Sequence, residues 1–233
     1  MLQPRTYPEL IGKALVLEAE PFITMLEDDN PWAEGLFLTV CVGVAIGVAQ
    51  LIGGLLLTAS LPSADAVFAV LLHGWRELGI APESDATRIE DTLRRIWELM
   101  TTLIGYSGGW ERLFVMIIAP FNLVFQWLFV GLICYVAGRG TGGTGTLNQT
   151  LGATSLMAAP NVLYMLQIIP LVSVSGILIF FWTALIVYRA VEVVHDLSWR
   201  HSAFVTLAPL MVLLGFSMVG IVVLTMMIAG SGS

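Results

Sequence analysis

Apolar and polar residues alternate along this chain in long blocks rather than in single positions. Five blocks are apolar enough to predict helices immersed in lipid, at residues 36–58, 113–137, 150–170, 172–191 and 203–229. Each approaches the ~20 residues that an α-helix needs to cross a ~30 Å hydrocarbon core. The longest charge-free interval runs between Arg139 and Arg189 and holds two of them. Its only internal turn chemistry is Ile168-Ile169-Pro170 through Gly176, which predicts a membrane hairpin with an arginine at each foot. Arginines in short loops stay on the cytoplasmic side. Arg139, Arg189 and Arg200 therefore read as cytoplasmic anchors, with the N-terminus on their side and the C-terminus on the other.

Two polar blocks complete the pattern. Residues 1–34 are acidic and cannot span, but Leu10, Ile11, Ala14, Leu15 and Leu17, then Phe22, Ile23, Met25 and Leu26, fall at helical spacing on either side of Pro21. That spacing predicts short amphipathic helices on the membrane surface. Asp29-Asn30-Pro31-Trp32 reads as a turn followed by an interfacial tryptophan. Residues 59–111 predict an extracytoplasmic helical loop. One helix is expected from Ala64 to Leu78, capped after Leu61-Pro62-Ser63 and stopped at Gly79. A second opens with a Thr87–Glu90 capping box, and Ile89, Leu93, Ile96, Trp97, Met100, Leu103 and Ile104 form its single apolar stripe. The fold class expected is all-α: a polytopic bundle of five membrane helices with short interfacial helices, residues 35–229 forming the membrane domain.

Composition agrees with the pattern. The 233 residues are 57% hydrophobic and 12% charged, with a mean hydropathy of +0.87, against roughly 25% charge in ordinary soluble domains. The formal charge of −7 argues against nucleic acid as a partner and against a polybasic patch on anionic lipid. Cys41 and Cys134 both fall inside apolar runs and read as small packing residues rather than a disulfide. The N-terminal residues lack the basic start of a cleaved signal, so the first span is expected to serve as the targeting signal.

Few residues suggest chemistry. Gly43, Gly47, Gly53 and Gly54 in the first span allow close helix packing. In the run 150–170, Pro160 interrupts the helix, and Asn161, Tyr164 and Gln167 form a candidate polar path. The glycine run Gly138–Gly145 precedes a Thr146–Gln149 capping box. No strand precedes it and no Gly-Lys-Ser/Thr follows, so it does not read as a phosphate-binding loop. Glu192 and His195 have the Glu-x-x-His spacing of a helical carboxylate metal site. No facing span supplies further carboxylates, so the expected reading is an Arg189–Glu192 pair with His195 anchoring a turn, no resident metal, no cofactor and no catalytic residue.

Taken in order, the segments GRGTGGTGTLNQT, MAAPNVLY, QIIPLV, FFWTALIVYRAVEVVH and HDLSWRHSA, over about residues 130–215, resemble the membrane domain of the Yip family. That family takes its name from interaction with Ypt/Rab GTPases. The acidic Pro-Trp entry at 27–35 is similar to prokaryotic members. The resemblance implies five membrane helices, a cytoplasmic N-terminus and a non-enzymatic role in membrane organisation or traffic. With about thirty residues ahead of the first span, a Rab-type GTPase is not an expected partner. The partners expected are the lipid bilayer and other membrane proteins, including a second copy, in a bacterial cytoplasmic membrane. The alternative is a permease or lipid-moving protein using the Pro-broken third helix.

Overall fold

In the computed structural model, residues 4–60, 62–78, 86–103 and 111–231 are described, and among them every regular element is helical. After a 3-10 turn (Pro4–Thr6) come α1 (Tyr7–Leu15), α2 (Glu20–Glu27), α3 (Pro31–Ser60), α4 (Ala64–Glu77), α5 (Ala86–Leu103), α6 (Glu111–Gly140) and α7 (Leu147–Thr154). A 3-10 segment (Ser155–Ile168), α8 (Gly176–His195) and α9 (Trp199–Ser231) complete the chain. Four of these helices contain stretches long and apolar enough to cross a membrane: Pro31–Leu57, Met116–Gly140, Gly176–His195 and Trp199–Val222.

Four of the five expected spans thus fall on continuous α-helices, and the fifth takes another form. The run 150–170 is not a single α-helix, because α7 ends at Thr154 and the chain tightens into 3-10 geometry to Ile168. Runs of 3-10 helix beyond three or four residues are uncommon, and the side chains here explain this one. The hydroxyls of Thr150, Thr154 and Ser155 donate to the carbonyls of Thr146, Thr150 and Gly152, one turn back. Such back-bonding competes with the α-helical ladder. Pro160 then removes an amide that 3-10 pairing would have sent to Met157 O. The Asn161 side-chain amide donates to that carbonyl at 3.3 Å. Pro160 and Asn161 thereby act as a pair, and Met157 O keeps a donor.

The chain forms two compact units. The first comprises Met1–Gly43, Phe121–Val162 and Ser175–Ser233. Its axis is the stretch 150–160, every residue of which is buried. In lipid the hydrophobic effect does not distinguish inside from outside, so close backbone approach and hydrogen bonds specify the packing. Glycines supply that approach. A Cβ on Gly35 would stand 2.9 Å from Ser155 Cβ, one on Gly131 2.7 Å from Leu151 Cδ2, and one on Gly152 2.5 Å from Pro31 Cβ. Trp127 is fully buried and donates its indole N–H to Leu151 O at 2.9 Å. Around it Cys134, Met157, Val187, Val191 and Val205 close the core. Both cysteines are free; Cys134 is buried and Cys41 exposed.

The N-terminal helices belong to this core rather than to the membrane surface alone. α1 and α2 pack on α8 and α7, with Ala14, Phe22 and Met25 wholly buried. Trp182 of α8 donates its indole N–H to Leu15 O at 2.9 Å, tying the end of α1 down. The helical spacing was legible, but the surface to which these faces turn is protein. The phenol of Tyr7 donates to Glu34, whose side chain is only 2% exposed.

The second unit comprises Val44–Pro120 and Leu163–Val174. Here a Cβ on Gly47 would meet Met116 Cα at 2.9 Å, and one on Gly53 would meet the Gln167 carbonyl at 1.9 Å. The Gln50 amide donates to Gln167 Oε1 at 3.1 Å. α4 starts from an N-cap in which Ser63 Oγ accepts the Ala66 amide. Ala86 and Thr87 are both already helical in α5 (Ala86–Leu103), so Thr87 lies inside the helix and not at a cap. Glu90 consequently does not close a capping box; it takes both arms of the Arg76 guanidinium, at 2.6 Å each. The expected stop at Gly79, the Leu61 end of the cap and Ile104 lie outside the described residues.

Candidate functional site

A convergence of polar groups lies in the first unit, where the ends of α6 and α8 meet the glycine run. α6 ends at Gly140, and Gly142 takes φ +94°, a left-handed conformation that suits glycine. The chain then returns through Thr144, whose amide donates to the backbone carbonyl of His195 at 3.3 Å. Thr146 and Gln149 close the capping box expected from sequence and start α7.

This loop wraps the His195 side chain, which is 1% exposed. A Cβ on Gly138 would lie 2.8 Å from His195 Cε1; on Gly143, 2.7 Å from Nδ1; on Gly145, 3.0 Å from Nδ1. The glycines are therefore the walls of an imidazole slot. Thr150 Oγ1 stands 3.1 Å from Nε2 and spends its own proton on Thr146 O at 2.8 Å. Nε2 is then the donor, and Nδ1 is left as a buried acceptor with no partner among the described residues. The positive end of the site is Arg139, which donates to Gly143 O at 3.0 Å and staples the loop shut.

The residues singled out from sequence separate into groups. Glu192 pairs with Arg189, while His195 faces Thr150, so the Glu-x-x-His spacing does not bring the two into one ligand set. Among the described residues no three His, Cys, Asp or Glu side chains gather as a metal site. Arg200 stacks its guanidinium 5.1 Å from the Trp199 ring centroid. Asn161 is occupied by Met157 O, and Gln167 by Gln50. Tyr164 is half-buried, as is Gly54, and Gly43 is buried. Sequence reasoning missed Gly35, Gly131 and Gly152 as close-approach points and Tyr7–Glu34 as a buried pair. The i, i+4 spacing of Thr146, Thr150 and Thr154 was the available signal for the buried axis.

The outer face of α9 is apolar. Among the described side chains of α9, burial is confined to Ser202, Val205 and Pro209, and Leu213, Phe216, Val219 and Ile221 all face outward. The family model described as the Yip1 domain matches residues 15–221. The chain belongs to the Yip1 domain family. No curated protein and no solved structure matches it. The match makes this Yip1 domain an integral membrane protein with several apolar helices, and it takes in α2 through most of α9 together with the glycine loop and His195.

Proposed function

We propose that this Yip1 domain protein is a non-enzymatic organiser of the membrane, acting by packing its outer apolar helix faces against lipid and against other membrane helices. One observation carries the reading: along the outer part of α9 the hydroxyls of Ser217 and Thr225 turn onto the helix's own backbone, and the large side chains facing outward there are apolar. Trp127, Trp182 and Asn161 all donate to internal carbonyls. The outer part of α9 has room for a partner: Gly215 and Gly220 have nothing within 4 Å of a built Cβ. Gly47 and Gly53, by contrast, are taken up by close approach within the chain. The association surface is therefore assigned to α9 rather than to the glycine face of α3.

The arginine-bearing end, with Arg139, Arg189 and Arg200, is the cytoplasmic one in this reading, following the positive-inside rule. Two experiments test it. A photo-crosslinking residue at Phe216 should give protein adducts in native membranes, while one at buried Val205 should not; lipid adducts alone at Phe216 would remove the organiser role. Cysteines introduced at exposed Gly140 and Ser198 should resist a membrane-impermeant reagent added outside intact cells, and labelling there would invert the topology.

A further inference from the structure

The second unit carries a feature that an organising role does not use. α4 and α5 are clasped by the Arg76–Glu90 pair, by Trp97 Nε1–H donating to Ala64 O at 3.2 Å, and by the Phe68 and Trp97 rings at 5.9 Å. Between the two helices runs an apolar groove of about 500 Å³, walled by Leu71, Trp75, Leu93, Ile96 and Met100. Leu71 is 55% and Ile96 53% exposed. Grooves of a few hundred Å³ lined this way match small-molecule sites in size and character, and exposed apolar side chains of this kind cost free energy in water.

Position and charge say what covers it. α3 presents Ile52, Leu55 and Leu56 outward and ends at Ser60, and α4 begins at Ala64. A connection that short reaches at most roughly 14 Å, so the hairpin is tethered where a spanning helix leaves the hydrocarbon. The nearest apolar material there is the tail of a bilayer lipid. At the groove wall the Arg94 guanidinium stands 5.4 Å from the Phe68 ring centroid. Arg94 has no carboxylate partner among the described residues, since Glu90 is held by Arg76. A cation held over one of the rings that line an apolar slot complements a lipid phosphate.

We propose that the α4–α5 groove holds one acyl chain of an anionic phospholipid drawn from the adjoining leaflet, with Arg94 against its phosphate. The site is independent of the organiser reading, because it uses neither α9 nor a protein partner.

The test uses the full-length chain in phosphatidylcholine vesicles containing phosphatidylglycerol with a photoreactive group at the end of one acyl chain. Illumination, digestion and mass spectrometry map the adducts, with those on the outward face of α9 as the internal standard for insertion and folding. Labelling should concentrate on the groove walls. In the double variant Leu71→Asn, Ile96→Asn it should fall about tenfold relative to α9. Arg94→Gln changes only an exposed side chain. It should bring groove labelling by phosphatidylglycerol down to that by an equally photoreactive phosphatidylcholine. Groove labelling no denser than that of α9, or unchanged in both variants, overturns the proposal. So does replacement of lipid adducts by crosslinks between two copies of the chain through the groove.

Discussion

Gly152→Ala isolates the packing argument in a single methyl group. Its Cβ would be placed 2.5 Å from Pro31 Cβ and 3.0 Å from the Pro31 backbone carbon and oxygen. Carbon atoms rest ~3.5–4.0 Å apart, so Pro31 or α7 must move by about 1 Å. Pro31 is not free to retreat, because the neighbouring Trp32 amide donates to Asn148 Oδ1 at 2.9 Å, a bond from the start of α3 to the start of α7. Overpacking of this kind costs roughly 1–3 kcal/mol, against which a helix-interior Gly→Ala change returns about 0.5–1 kcal/mol. The net expectation is a loss of about 1–2 kcal/mol, or roughly 2–8 °C in Tm for a chain of this size. Gly12→Ala in α1 is the control. Nothing lies within 4 Å of its Cβ, so only the propensity gain remains and stability should rise by about 0.5–1 kcal/mol. Both are measured by thermal unfolding in mild detergent and by SDS titration in mixed micelles. If Gly152→Ala proves as stable as the parent, or shifts in the same direction as Gly12→Ala, then glycine-mediated contact with Pro31 is not what holds α3 against α7.

Three further outcomes follow from individual bonds. Asn161→Ala should lower stability by about 1–3 kcal/mol, because Met157 O is left without its donor, and the same unfolding measurement checks it; Asn161→Leu should cost no less. Trp182→Phe removes the bond to Leu15 O at about 1 kcal/mol, and should speed proteolysis between α1 and α2 more than cleavage elsewhere. The hydrogen bonds from Arg76 hold the Glu90 carboxyl below its usual range. A depressed carboxylate stabilises the α4–α5 hairpin above the ordinary value near ~4.3, and that contribution is lost as pH falls through the lower folded value. Spin labels on α4 and α5 should therefore separate on acidification, and Arg76→Gln should abolish this acid-specific step.

What could be read from sequence was whatever depends on local patterning. The apolar blocks located α3, α6, α8 and α9, the Thr146–Gln149 cap started α7 where expected, and Ser63 capped α4. What could not be read was direction. Periodicity gave the apolar faces of α1 and α2 but not that they bury against α7 and α8, since a helix face turned to lipid and one turned to protein carry the same residues. The 3-10 stretch escaped for a related reason. Its cause is three hydroxyls bonding backward together with the Pro160–Asn161 pair, and hydropathy weighs none of those hydrogen bonds. At the candidate site the glycines were legible as a loop, whereas their task of enclosing His195 depends on a residue about fifty positions further along the chain.

That enclosure has a genetic consequence. Three glycines and one imidazole compete for the same small volume, so none of the four is free to change alone. Gly143→Ala should be a loss-of-folding allele, since its new methyl would meet both His195 Cβ and Nδ1 at 2.7 Å. A smaller residue at 195 is where its intragenic suppressors should map. Selection from a library randomised at 143 and 195 together should return compatible pairs, and neither position's tolerated alphabet would be deducible from the other held fixed.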